Sequence, residues 1–176
     1  MVNKVFLIGF MGSGKTTIGR YIAQDMNWEF IDMDSYFEHK HNCTISQFFA
    51  EYGEDKFREA EHEVVCELAS KQNAVIATGG GAPCYFDNIE VMRRAGLTIY
   101  IDVEPSDLAK RLKSAKANRP LLANKTDDEL LDYITTKLAE REPYYRKAHM
   151  TVDGEHLPFS TYRTLISMFP DEELNK

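Results

Sequence analysis

Features that would mark several protein classes are scarce in this chain of 176 residues. No stretch approaches the roughly 20 consecutive apolar residues of a membrane-spanning helix, so we expect no membrane partner. The first residues lack the series of charged, apolar and cleavage segments of a secretory signal. The net charge is −7, and this argues against nucleic-acid binding, which requires a basic surface.

Cysteine is also scarce, with only Cys43, Cys66 and Cys84 in the chain. An odd number of cysteines at distant positions indicates reduced thiols, and therefore a cytoplasmic location. Cys66 falls on the apolar stripe of a predicted helix, where we expect it to be a small core residue. The chain is long enough to bury a core, so residues 1–176 are interpreted as one domain.

The most specific feature present is the segment of residues 9–17, which reads GFMGSGKTT. It matches G-x-x-x-x-G-K-[ST], and it lies between a strand-like apolar run and apolar residues at helical spacing. Backbone N–H groups of such a loop surround phosphates, Lys15 can reach the β- and γ-phosphates, and Thr16 can hold Mg²⁺. The alternative, a glycine-rich turn without a ligand, would not require all these residue types. The loop predicts binding of a nucleoside triphosphate with Mg²⁺ through Gly12, Ser13, Gly14, Lys15, Thr16 and Thr17.

Strand-like apolar runs alternate with helical patterns along the chain. We predict strands near residues 5–8, 28–31, 74–77, 97–101 and 149–152, and helices near 15–26, 33–40, 44–51, 54–71, 86–95, 106–112, 127–142 and 158–168. This alternation predicts an α/β fold of three layers, with a parallel sheet covered by helices on both faces. Ligands of such sheets bind beyond the carboxyl ends of the strands.

Two carboxylates, Asp32 and Asp34, follow the second predicted strand. One can lie near Mg²⁺, and the other can accept a hydrogen bond from an acceptor hydroxyl or take its proton. The alternative is an ordinary helix N-terminus, where aspartate is favoured in any protein. The phosphate-binding loop elsewhere in the chain favours the functional interpretation.

Two arginines could bind an anionic acceptor. Arg58 lies at the edge of the apolar stripe of its predicted helix, and a guanidinium there can hold a carboxylate. Alternatively, it forms a surface ion pair with Glu61 or Glu54, which would contribute only a few tenths of a kcal/mol. Arg141 lies near the end of a predicted helix, where it could simply complement the helix dipole.

Three consecutive glycines, Gly79, Gly80 and Gly81, follow the predicted strand at 74–77. Glycine loses more conformational entropy on folding than any other residue, so a plain turn would rarely need three. They allow a ligand to approach the backbone closely. The alternative is an irregular strand exit.

A basic segment covers residues 110–125. It contains Lys110, Arg111, Lys113, Lys116, Arg119 and Lys125 and no acidic residue. Such a segment suits a lid, here about residues 112–126, that closes over phosphates and brings an arginine to the transferred group. The alternative is a solvated charged loop.

The sequence Asn-Lys-Thr-Asp at residues 124–127 matches the guanine-reading motif of GTPases. However, the chain contains no D-x-x-G, which a GTPase switch requires. Thr126 and Glu129 are better interpreted as a capping box that begins the next helix.

Taken together, the segments resemble the shikimate kinase family over residues 4–153. The resemblance depends on six motifs: the loop at 9–17, D-x-D at 32–34, F-R-x-x-E at 57–61, GGG at 79–81, RPLL at 119–122, and Arg141 ahead of Tyr144 and Tyr145. It implies a P-loop NTPase fold like that of nucleoside monophosphate kinases, with strand order 2-3-1-4-5, substrate-binding helices near residues 33–62 and a lid. It also implies ATP-dependent phosphorylation of the 3-hydroxyl of shikimate, with one Mg²⁺, in aromatic amino acid biosynthesis.

The resemblance also implies roles for single residues. Lys15, Asp34 and Arg119 would be catalytic, with Asp34 binding the ring hydroxyls as the candidate base and Arg119 reaching the ATP phosphates from the lid. The acceptor would be held by Asp34, Arg58, Arg141 and the backbone of Gly79, Gly80 and Gly81. Thr16 and Asp32 would hold Mg²⁺, and Arg111 is the nearest candidate for the adenine contact. We expect ATP and shikimate as the ligands of a monomer.

Other readings stay open at this point. A gluconate kinase of the same fold also needs arginines and an aspartate, because its substrate carries a carboxylate and several hydroxyls. A regulatory nucleotide switch would change conformation without turning over an acceptor. A fold relative that has lost catalysis is not expected to retain Lys15, Asp34, Arg58 and Arg141 together.

Overall fold

A computed structural model describes residues 2–114 and 125–170 of the chain. The strands are β1 (Lys4–Ile8), β2 (Glu29–Asp32), β3 (Ala74–Ala77), β4 (Leu97–Asp102) and β5 (Met150–Asp153). The α-helices of these residues are α1 (Lys15–Met26), α2 (Met33–His41), α3 (Ile45–Leu68), α4 (Asn88–Ala95), α5 (Pro105–Ser114), α6 (Asp127–Tyr145) and α7 (Phe159–Met168). A short 3-10 turn spans Ala82–Cys84 between β3 and α4.

The five strands form one parallel sheet in the order β2-β3-β1-β4-β5. This confirms the order 2-3-1-4-5 that the resemblance implies. Every residue of β1 and β3 is buried, so both faces of the central strands are covered by other parts of the chain. Two covered faces require helical layers on each side, which confirms the predicted three-layer α/β fold.

The carboxyl ends of β1, β2 and β3 lie at the same edge of this sheet, because the strands are parallel and adjacent in register. The phosphate-binding loop leaves β1, the two aspartates follow β2, and the glycine run follows β3. The sheet order therefore places these three predicted parts beside one another.

Helix α3 contains a break that separates the two helices predicted at 44–51 and 54–71. Gly53 lies at this break with φ 79° and ψ 176°, a backbone conformation outside the helical region. Apart from its chain neighbours and its own helix backbone, no heavy atom of the described residues lies within 4 Å of the position that a β-carbon would occupy there. The glycine is therefore required by backbone conformation, and not by lack of space. The predicted capping box at Thr126 is present, and Thr44 forms a second one at the start of α3.

The prediction that Cys66 is a core residue is wrong. Its side chain is exposed. Helix α3 buries the neighbouring Val64, Val65 and Leu68, and Cys66 lies on the solvent side of that stripe. Within the described ranges, none of the helices is both long enough and apolar enough to span a membrane.

Candidate active site

The loop between β1 and α1 has the backbone shape of a phosphate-binding loop. Gly9, Gly12 and Gly14 have φ values of 142°, 82° and 99°, in the left-handed region that side-chain-bearing residues rarely adopt. The backbone N–H of Ser13 donates to the Phe10 carbonyl at 3.2 Å and closes the turn. The loop therefore leads directly into the N-terminus of α1, where backbone N–H groups favour an anion.

Lys15 lies across its own loop. Its Nζ donates to the Gly9 and Phe10 carbonyls at 2.8 Å each, and its side chain is buried. The Ser13 hydroxyl oxygen is also buried, and it has no hydrogen-bond partner within the described part of the chain. A buried polar atom without a partner is costly, so a ligand oxygen there would satisfy a group that the protein alone does not.

Asp32 caps a helix and also lies next to Thr16 of the phosphate-binding loop. One carboxylate oxygen accepts from the Ser35 N–H at 3.3 Å and caps α2, while the other accepts from the Thr16 hydroxyl at 3.1 Å. The N-terminal cap therefore does not exclude the metal-site interpretation. A threonine hydroxyl and a carboxylate are hard oxygen ligands, the type that Mg²⁺ prefers, so the residues present fit that ion.

A cavity of about 250 Å³ connects the loop with the two aspartates. It is lined by loop residues Gly12, Gly14, Lys15 and Thr16, and by Asp32, Asp34 and Gly80 on its other side. Asp34 lies in the first turn of α2 with an exposed side chain. Thr17 is exposed beside Thr16 at the start of α1.

The three glycines after β3 contact each remaining part of the predicted site. A methyl group added at Gly79 would lie 2.9 Å from Asp34 Oδ1, one at Gly80 would lie 3.4 Å from both Arg141 Nη1 and Met11 N, and one at Gly81 would lie 2.9 Å from Arg58 Nη1. At Gly79 and Gly81 these distances are below 3.0 Å, so a side chain there would require Asp34 or Arg58 to shift. The run is therefore glycine because neighbouring functional groups pack against its backbone.

Arg58 forms both ion pairs that the alternative interpretation predicted. Its Nη1 donates to Glu61 Oε2 at 2.7 Å, and its Nη2 donates to Glu54 Oε1 at 3.2 Å. The environment differs from the surface pair expected, since the side chains of Arg58 and Glu61 are only 12% and 4% exposed. Arg58 Nε is buried and has no hydrogen-bond partner among the described residues.

The carboxyl of Glu61 is unusual because it is buried next to another acid. Burial raises the pKa of Glu61, and the nearby charge of Asp34 raises it further, while Arg58 opposes the shift. The arginine therefore stabilises a carboxylate that burial would otherwise neutralise.

Arg141 comes to the same place from α6. Its Nη1 lies near Gly80, and its Cζ lies 5.4 Å from the centroid of the Phe10 ring. The Tyr145 hydroxyl, one turn later on α6, donates to the Gly80 carbonyl. Both predicted arginines thus lie next to the glycine run, with Arg141 on the side of the phosphate-binding loop.

Arg111, on α5, lies on the outer side of the loop. Its Nη1 donates to the Gly12 and Ser13 carbonyls at 3.4 Å, and its Nη2 pairs with Glu155 Oε1 at 3.2 Å. Arg111 is therefore close to the phosphate-binding residues. Arg119 and most of the predicted lid, residues 115–124, lie outside the described residues, so the lid remains a prediction.

Sequence reasoning missed two neighbours of these arginines. Glu155 pairs with Arg111, although it lies 44 residues away in the chain. The Tyr85 ring lies against Arg58, with the guanidinium carbon 3.9 Å from the ring centroid. No spacing rule links these partners, because tertiary packing alone brings them together.

The sheet order, the glycine loop after the central strand and the arginine-rich acceptor side define a P-loop kinase that acts on a small molecule. The family comparison is more specific. A family model described as shikimate kinase matches residues 11–168. A shikimate kinase from Phocaeicola vulgatus is 49% identical over 156 residues, which cover 89% of each chain. The chain belongs to the shikimate kinase family.

Solved structures agree with this membership. The crystal structure of a shikimate kinase from Bacteroides thetaiotaomicron matches with a TM-score of 0.91 and 40% identity, covering 96% of this chain and 100% of that one. A shikimate kinase from Acinetobacter baumannii in complex with shikimate matches with a TM-score of 0.81 and 34% identity, covering 95% of this chain and 92% of that one.

Proposed function

We propose that this family member transfers the γ-phosphoryl group of ATP to the 3-hydroxyl of shikimate, giving shikimate 3-phosphate and ADP on the route to chorismate and the aromatic amino acids. The observation that carries the proposal is the glycine run. Within three residues it packs against Asp34, Arg141 and Arg58, and Gly80 also faces the phosphate-binding loop. An acceptor bound to this run would lie next to the phosphates.

The donor half of the site would hold ATP with one Mg²⁺. Loop N–H groups and the Ser13 hydroxyl, which has no partner among residues 2–114 and 125–170, would bind phosphate oxygens. Lys15 would exchange its loop carbonyls for the β- and γ-phosphates. Thr16 and Asp32, already 3.1 Å apart, would hold the ion. Mg²⁺ supplies neutralisation of the phosphate charge.

The acceptor half would hold a carboxylate and several hydroxyls. Arg58 and Arg141 would bind the carboxylate. The Nε of Arg58 supports this, because it is buried without a partner in the described part of the chain and an anionic ligand would provide one. Asp34 faces the cavity and would accept a hydrogen bond from the 3-hydroxyl. Its position in the site supports a role in receiving the hydroxyl proton.

Transfer in such a site depends mainly on positioning and charge neutralisation. Arg119, carried by the lid at residues 112–126, would approach the transferred group. Arg111 would contact the nucleotide from the outer side of the loop and stack on adenine. The proximity of Arg111 to the Gly12 and Ser13 carbonyls supports the second role.

The three cysteines are free thiols. This supports the proposal that the enzyme works in the reducing cytoplasm. The expected monomeric state is measurable by sedimentation equilibrium of the full chain.

The acceptor is tested by following ADP release from ATP and Mg²⁺ with shikimate, gluconate, a nucleoside monophosphate or no acceptor. We expect ADP release that depends on shikimate. Equal release without an acceptor would support a bare nucleotidase or switch, and a preference for gluconate would support the rival kinase. Either result would refute the proposed function.

A further inference from the structure

Tyr85 packs against Arg58, the arginine that is proposed to hold the acceptor carboxylate. The Arg58 guanidinium carbon lies 3.9 Å from the centroid of the Tyr85 ring, the distance of a close cation–π contact. The second aromatic ring near this cation, that of Phe57, is 5.0 Å away. Tyr85 therefore makes the closer aromatic contact with the guanidinium.

The edges of the same guanidinium are also constrained. Glu61 accepts from Nη1, Glu54 accepts from Nη2, and the Tyr85 hydroxyl donates to the same Glu54 oxygen at 3.0 Å. Tyr85 thus contacts Arg58 through its ring, and reaches it a second time through Glu54. A guanidinium binds a carboxylate through two parallel hydrogen bonds, so the orientation of its plane decides how well it binds.

A turn in the backbone brings Tyr85 to this position. Gly81 lies against Arg58, and the 3-10 turn Ala82–Cys84 then reverses the chain so that Tyr85 returns to the same side chain. The turn is fixed by Asn88, whose fully buried side chain donates from Nδ2 to the Ala82 carbonyl at 2.8 Å. The contact between Tyr85 and Arg58 is therefore built into a well-anchored segment.

We propose that Tyr85 is a positioning residue that fixes the plane of the Arg58 guanidinium, and so sets the selectivity of the site for acceptors that carry a carboxylate. The inference rests on the proposed function, because it takes Arg58 as the carboxylate-binding group. The ring makes the decisive contact, and the hydroxyl has the smaller role, since it reaches Arg58 only through the half-exposed Glu54.

The test compares Tyr85→Leu, which removes the ring, with Tyr85→Phe, which retains it. Phe86→Leu is the matched control, because Phe86 is the adjacent aromatic residue, is 60% exposed and contacts the His62 ring instead of Arg58. For Tyr85→Leu we expect the KM for shikimate to rise about tenfold, the size of a partly desolvated cation–π contact, with KM for ATP and kcat nearly unchanged. Tyr85→Phe and Phe86→Leu should resemble the wild type.

A second readout separates this role from simple stabilisation. The methyl ester of shikimate has no carboxylate charge, so its use should be insensitive to the plane of Arg58. In Tyr85→Leu, the ratio of kcat/KM for shikimate to that for the ester should fall about tenfold, in line with the lost contact. An equal fall for both acceptors, or an unchanged KM for shikimate, would overturn the proposal.

Two further outcomes are distinguishable. Should Tyr85→Phe lose as much as Tyr85→Leu, the hydroxyl and Glu54 would carry the effect, and the role of the ring would be wrong. If Tyr85→Leu does not fold, Tyr85→Met takes its place in the same measurements. Failure of the wild type to release ADP with shikimate would refute the proposed function itself, whereas a normal wild type with an unaffected Tyr85→Leu refutes only this inference.

Discussion

The proposed donor and acceptor halves of the site are built in different ways. The donor half comes from nine consecutive residues, 9–17, and its lysine hydrogen-bonds with carbonyls of the same loop. The acceptor half comes from four separate parts of the chain, around Asp34, Arg58, the glycine run and Arg141. A local backbone motif thus shapes one half, whereas packing of distant segments shapes the other.

The two halves also handle charge differently. Lys15 is held by neutral carbonyls, which a phosphate can readily replace. Arg58 is held by two carboxylates of its own helix, one of them the buried Glu61. The donor cation is thus held by neutral backbone oxygens in these two contacts, whereas Arg58 is oriented by a buried ion pair before any ligand arrives.

The largest effect is expected from a substitution that disrupts the donor half alone. Lys15→Met should lower kcat roughly 10³-fold, because it removes a preorganised charge beside the transferred phosphoryl group. Binding of shikimate, measured by calorimetry without nucleotide, should be retained. A parallel loss of shikimate binding would show that the halves are not independent.

The second largest effect is expected from a substitution that disrupts the acceptor half. Arg58→Ala should raise the KM for shikimate by roughly 10²-fold, the cost of removing one member of a buried charge pair, while ATP binding survives. Because this change also leaves Glu61 buried without its partner, Arg58→Lys provides a variant that retains the charge but not the planar fork.

The matched control for these variants is Arg146→Ala, which removes the exposed arginine that caps the C-terminus of α6 and pairs with Glu142. The KM values for shikimate and for ATP are measured for Arg58→Ala, Arg58→Lys and Arg146→Ala. If Arg58→Ala weakened ATP binding as much as shikimate binding, its role as a carboxylate clamp would be wrong.

A smaller effect is expected from substitutions at two glycines that the fold requires for different reasons. A β-carbon at position 81 would lie 2.9 Å from Arg58 Nη1, so Gly81→Ala should displace the guanidinium and reduce kcat/KM for shikimate roughly tenfold or more. Gly53 has open space around it, so Gly53→Ala should instead cost about 1–3 kcal/mol of stability through backbone strain. Thermal unfolding and kinetics separate the two, and the reverse pattern would contradict the assignment.

The smallest effect concerns the pH dependence of stability. Burial raises the pKa of Glu61 above its ordinary value of 4.5, so the folded protein holds this proton more tightly than the unfolded chain. The stability from Glu61 is therefore fully present below pH 4.5 and is lost as pH rises through the raised pKa. In Glu61→Gln this loss should disappear. The free energy of unfolding in urea should therefore increase for the variant relative to the wild type as pH rises. A gain as pH falls would contradict the direction of the shift.

Much of the donor half and of the sheet was predictable, since both depend on local patterns. Continuous apolar runs identify buried parallel strands, and the spacing of residues 9–17 defines the loop completely. The break between the helices predicted at 44–51 and 54–71 and the capping box at Thr126 also followed from local signals. The sheet order followed only from the family resemblance.

The acceptor half was less predictable. The partners of Arg58 could be derived from helical spacing, but the burial of Glu61 could not, because it depends on how α3 packs against the glycine run. The exposure of Cys66 shows the same weakness at the edge of a helical stripe. Tyr85 gave no signal at all, since a turn held by Asn88 brings it to Arg58.

The central claim is that both halves orient one acceptor so that a single hydroxyl meets the γ-phosphate. The direct measurement is nuclear magnetic resonance of shikimate after incubation with the enzyme, ATP and Mg²⁺. The account predicts one product, phosphorylated at the 3-hydroxyl, in equal amount to ADP. A mixture of phosphorylated positions, or ADP with inorganic phosphate and unchanged shikimate, would contradict it.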